Sequence, residues 1–63
     1  MKKRYIPFII NSYGCDFIGA EYSNLADAMD GLEEFVNNFK SYRDDIITDT
    51  YVLNTITGKK IRP

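Results

Sequence analysis

Two hydrophobic periods divide the chain. Residues 4–12 are an almost unbroken apolar run centred on "YIPFIIN", which reads as a first strand. Ser12-Tyr13-Gly14-Cys15-Asp16 is a turn with a glycine suited to positive φ, and residues 17–22 form a second strand, making the pair a hairpin. The period then lengthens. Leu25, Ala28, Met29, Leu32, Phe35, Val36 and Phe39 recur at three- and four-residue spacing, one face of a helix reaching about Lys40. Ser23-Asn24 offers its N-cap, and Asp27, three residues after Asn24, stands near the positive end of the helix dipole. Gly31 interrupts the helix at a cost of about 1 kcal/mol relative to alanine and allows close approach to the sheet. "SYRDDI" is a loop, and "ITDTYVLNT" a third strand rich in β-branched residues and tyrosine. Thr57-Gly58 turns the chain into a short closing strand at residues 60–62.

The order β-β-α-β-β predicts an α+β fold over residues 1–63 as one domain. One helix covers one face of an antiparallel sheet with strand order 2-1-3-4. Strand one is then central, where Pro7 is disfavoured because it cannot donate a ladder hydrogen bond. Either the proline marks a bulge, which is the favoured reading, or strand one is an edge open to pairing with another chain.

Alternation assigns the faces. Ile6, Phe8 and Ile10 share one, with Ile18, Ala20 and Tyr22, and the expectation is that they lie beneath the helix. Tyr5, Pro7, Ile9 and Phe17 take the other, joined by either Tyr51 and Leu53 or Thr50 and Val52. One helix covers one face, so the second is open unless the termini or the 40–47 loop fold over it. A contiguous apolar patch on a small protein marks an interface, which points to Tyr5, Ile9 and Phe17 as contact residues.

Composition sharpens that expectation. Sixty-three residues are one domain at most, and a domain of about this size buries only roughly 60% of its unfolded surface. Such scaffolds lean on disulfides, metals or partners. Cys15 is the only cysteine and there is no histidine, so neither an intrachain disulfide nor a zinc site is in reach, and no metal or cofactor is expected. Association is the remaining support, through a homodimer or a partner protein. No apolar run approaches the roughly 20 residues of a membrane span, so no membrane contact is expected. The basic start before "YIPFII" is followed by too short an apolar stretch for a signal peptide. With a lone cysteine, this predicts a cytoplasmic protein.

The net charge is −1 and gives no overall drive towards nucleic acid. Six basic residues nevertheless lie near the termini: Lys2, Lys3, Arg4, Lys59, Lys60 and Arg62. In the 2-1-3-4 order they form a basic pole with Tyr5 close by, which gives a second functional class: a small nucleic-acid-binding module. On the helix, Asp27, Asp30 and Glu34 form an acidic stripe away from the apolar face, a charged secondary contact for a protein partner.

Catalysis has little to work with. No histidine is present to act as a base near neutrality, Ser12, Ser23 and Ser41 have no recognisable activating partner, and no glycine-rich loop matches a phosphate cradle. Asp44-Asp45 is a carboxylate pair in a loop, and the Asp16 carboxylate beside Cys15 disfavours a reactive thiolate. The expected class is non-enzymatic.

"YSNLADAMDGLEEFV" and "DTYVLNTITGKKI" resemble the amphipathic helix and closing hairpin of small phage and prophage proteins, and together cover about half the chain. The resemblance implies a ββαββ accessory protein that binds a host protein in the host cytoplasm and inhibits or redirects it. It transfers no catalytic residue.

Overall fold

A computed structural model describes residues 3–63. Its elements are β1 (Tyr5–Asn11), β2 (Asp16–Ile18), α1 (Leu25–Tyr42), β3 (Ile47–Asn54) and β4 (Lys59–Ile61). They form an α+β fold: one four-stranded sheet in the order β2-β1-β3-β4, every neighbouring pair antiparallel, with α1 packed across β1 and β3. Fold class and strand order are those the sequence predicts.

Local chemistry accounts for the boundaries. Asn24, in an extended conformation, accepts the Asp27 backbone N–H at 2.8 Å through its side chain and donates its Nδ2 to the Asp27 carboxylate at 2.9 Å. At the other end the Arg43 N–H reaches the Phe39 carbonyl, and the helix runs two residues past Lys40, through Ser41 and Tyr42. Gly14 and Gly58, at φ of 79° and 75°, turn the two hairpins in the left-handed region.

The second strand is shorter than expected, and Pro7 is the reason. β1 is central, and Pro7 pairs in register with Val52 of β3. In an antiparallel ladder the N–H and C=O of one residue point to the same neighbour. The Pro7 carbonyl accepts the Gly19 N–H at 2.9 Å, so its missing N–H also faces the β2 side. There the facing chain leaves the ladder and returns only at Tyr22, which exchanges hydrogen bonds with Tyr5. Tyr5 and Pro7 are two residues apart, whereas Tyr22 and Gly19 are three apart, so the facing segment carries one extra residue. The proline does mark an irregularity, displaced into the chain opposite. A second register shift falls at Ile10/Asn11, opposite β3.

The core lies between α1 and one sheet face. Ala28, Leu32 and Val52 form its centre, with Tyr5, Tyr22, Leu25, Met29 and Val36 packed around them. Ile9 and Val52 are fully buried, and each contributes about 1.5–3 kcal/mol on removal from water. Phe17 reaches the same layer and meets Phe39 edge-on at 4.9 Å between ring centroids.

A candidate interaction surface on the open sheet face

Along β1 and β2 the face assignment is the reverse of the sequence expectation, whereas Tyr22 lies beneath α1 as expected, against Gly31 and the core cluster. Ile9 is fully enclosed beneath α1, Tyr5 packs against the core cluster, and Phe17 packs against Phe39 with the Arg43 guanidinium over both rings, 4.9 Å from the Phe17 centroid and 5.8 Å from that of Phe39. None of these three lies on the open face. The Pro7 side is the one α1 covers, because Pro7, Ile9 and Phe17 share it with Val52 and the helical aromatics.

Alternation then puts Ile6, Phe8 and Ile10 of β1, Ile18 of β2, and Tyr51 and Leu53 of β3 on the opposite face. The register sets them in rows. Ile18, Phe8 and Tyr51 are cross-strand neighbours, as are Ile6, Leu53 and Lys60, and as are Asp16, Ile10 and Asp49. Among the described residues no helix or strand packs on this side. Ile18 is 64% exposed, and Ile6, Phe8, Ile10 and Leu53 are half-buried. The 43–46 loop does not cover the face, since Arg43 lies over Phe17 and Phe39 on the helix side.

Tyr51 is the exception, at 5% exposure on an otherwise open face. Phe8 stacks on it at 5.2 Å with the rings nearly parallel, while the Lys60 ammonium and Arg62 guanidinium stand 5.1 and 5.7 Å from its ring centroid. Burial first, and then the Asp16 and Asp49 carboxylates, push its phenol above the ordinary value. Arg62 reaches on to Asp49 through two hydrogen bonds, at 3.2 and 2.8 Å, and holds that carboxyl below the usual carboxylate range. The face is thus an apolar band with Asp16 at its β2 edge and Lys60 and Arg62 at its β4 edge.

The other predicted positions are dispersed. Asp27, Asp30 and Glu34 are exposed on α1. Asp30 borders a groove of about 400 Å³ with Met29, Leu32 and Val36, and Glu34 borders a smaller one on the opposite flank with Tyr22 and Phe35. Lys3, Arg4, Lys59 and Lys60 are exposed, and Lys2 lies outside the described residues. Of the expected basic pole, Arg4 and Lys59 come together at one end of the sheet, because Tyr5, Asn54 and Lys59 stand in register and the Thr55 N–H binds the Arg4 carbonyl, whereas Arg62 extends away from that end to Asp49. Lys59 and Lys60 nevertheless point to opposite faces. Among the described residues no group of three His, Cys, Asp or Glu side chains could hold a metal ion, and no helix is long and apolar enough to cross a membrane.

A polar cluster absent from the sequence reading fastens the first turn to the 43–46 loop. Asn11, 3% exposed, accepts the Tyr13 and Cys15 N–H groups at 3.0 and 2.9 Å and donates to Asp45 at 2.9 Å. Arg43 adds two hydrogen bonds to the same carboxylate oxygen. A polar residue closing an apolar strand directly before a glycine turn was the available signal.

Compared with known proteins, the chain matches no protein-family model, no curated sequence and no solved structure.

Proposed function

We propose that this chain is a non-enzymatic protein-interaction module whose working surface is the sheet face opposite α1. The supporting observation is the contiguity of Ile6, Phe8, Ile10, Ile18 and Leu53 on a face that no described element covers. Desolvating such a patch drives association, and an aromatic anchor at its centre, the role of Phe8, carries a large share of the affinity. The resemblance to small phage proteins extends the reading to a host protein that is bound and inhibited or redirected. On that extension Asp27, Asp30 and Glu34 form a second, charged contact. The test is a photo-crosslinking residue at position 18, compared with one at position 42, where Tyr42 is 88% exposed outside the face. Protein adducts formed from position 18 and not from position 42 support the reading. Equal yields at both, or none from position 18, remove it.

A second reading, a nucleic-acid-binding module, is favoured by Lys60 and Arg62 standing over Tyr51 beside Phe8. Bases would stack on this face while Lys3, Arg4, Lys59 and Lys60 hold phosphates. Binding to single strands must then weaken steeply with salt as counterions are released. Absent or salt-insensitive binding eliminates it.

A further inference from the structure

We infer that the partner for which the open sheet face is built is a second copy of this chain, docked face to face about a two-fold axis parallel to the strands. This rests on the reading of that face as a protein-binding surface and adds the occupant. The face is charged unequally across its width: Asp16 lies at the β2 edge, Lys60 and Arg62 at the β4 edge, and the apolar band fills the middle except at the Ile10 level, where Asp49 of β3 is paired to Arg62. A two-fold contact must be complementary to itself. Of the two axes that bring the faces together along or across the strands, only one meets that condition.

Rotation about an axis along the strands lays β2 of one copy over β4 of the other, and β1 over β3. The register then sets the contacts. Asp16 is level with Ile10 and Asp49, so it arrives at the end of β4 where the Arg62 guanidinium meets Asp49. Phe8 is level with Tyr51, so each copy sets its Phe8 over the other's Tyr51 at the centre. Ile6 is level with Leu53, and these two cover one another. An axis across the strands instead stacks β4 on β4. It brings the two copies' Lys60 and Arg62 together and leaves each Asp16 on the acidic edge, a like-charge contact. Sheets paired face to face sit about 10 Å apart at roughly 30°, which suits side chains of this size.

The experiment is solution mass by light scattering over a concentration series, at low and moderate salt, with circular dichroism on each variant. The wild type is expected to reach twice the chain mass. Ile18→Arg, a change at a position 64% exposed that the rotation sets against the partner's Arg62, is expected to return it to one chain mass with the helix signal retained. Asp16→Arg reverses the charge at both symmetry-related contacts and should raise the dimer's dissociation constant by more than about tenfold, most at low salt. In a Cys15→Ser background, Asp16→Cys with Arg62→Cys should give a doubled chain with a short bismaleimide, whereas Asp16→Cys alone should not. A wild type that stays at one chain mass overturns the second-copy inference. The protein-binding reading then stands or falls separately, on adducts to other proteins from position 18. A dimer unaffected by Ile18→Arg overturns both. A dimer broken by Ile18→Arg but not crosslinked through positions 16 and 62 overturns the axis.

Discussion

The ring of Tyr22 lies directly across Gly31 of α1. A Cβ at Gly31 would fall on the Tyr22 ring and hydroxyl, so any side chain there requires that ring to move where the chain leading out of β2 passes under the helix. Two effects of Gly31→Ala therefore oppose each other. Helix propensity favours alanine by about 1 kcal/mol. Displacing a ring that packs on the core costs more, in the range of about 1–3 kcal/mol for overpacking. Gly31→Ala is expected to lower the urea midpoint in the wild type and to raise it in a Tyr22→Leu background. A double-mutant cycle reads the sign change, and the same sign in both backgrounds would contradict the contact.

Asn11 satisfies two backbone N–H groups and one carboxylate from a nearly inaccessible position. Asn11→Ala removes the acceptor for Tyr13 and Cys15 together and should cost about 1–3 kcal/mol, the range for orphaning buried polar groups. Chemical denaturation measures it, and faster amide exchange should be confined to the 11–16 turn and the 43–46 loop. A loss below about 0.5 kcal/mol, the level of an ordinary surface change, would show the cluster to be incidental.

The Asp45 carboxyl is held below the ordinary aspartate value, first by the Asn11 hydrogen bond and then by those from Arg43. Asp49 is lowered first by its hydrogen bonds from Arg62. Both folded values lie below the unfolded one of about 3.9. Between the two values the unfolded chain binds more protons, so stability rises with pH there. The contribution is complete above the ordinary value and is lost as pH falls through the folded one. Carboxyl carbon shifts followed by NMR should show Asp45 titrating below the model-peptide value in the wild type and closer to it in Asn11→Ala. An Asp45 that titrates alike in both would rule out the Asn11 hydrogen bond as the cause.

Topology was legible in the sequence because its signals are local. The Asn24 cap, the three- and four-residue spacing from Leu25 to Phe39 and the glycines at 14 and 58 each act within a few residues. The faces were not legible from β1 by itself, since Ile6, Phe8 and Ile10 are collectively more apolar than Tyr5, Pro7, Ile9 and Asn11, and the more apolar side is the natural choice for the core. The deciding information lies across the strands. Asp16 is level with Ile10, and Lys60 with Leu53, so the even side of β1 shares its face with charges that cannot be enclosed beneath a helix. The contacts of Asn11 with Asp45, 34 residues later, depend on tertiary structure and have no local pattern.

Phe17 and Ile18 are sequence neighbours on opposite faces of β2, and they separate stability from association. Phe17 packs edge-on to Phe39 and under the Arg43 guanidinium, whereas Ile18 is largely exposed beside Phe8. Removing a packed phenylalanine costs about 3–5 kcal/mol before any charge is enclosed. A chain of this length has roughly 3–9 kcal/mol in total, at about 0.05–0.15 kcal/mol per residue. Phe17→Asp is therefore expected to unfold the protein, with loss of the helical circular dichroism signal at 25 °C. Ile18→Asp leaves that signal close to wild type, because its side chain is not part of the core beneath the helix. If Phe17→Asp stays folded while Ile18→Asp unfolds, the helix covers the other face, and both the interaction surface and its proposed two-fold contact fall with it.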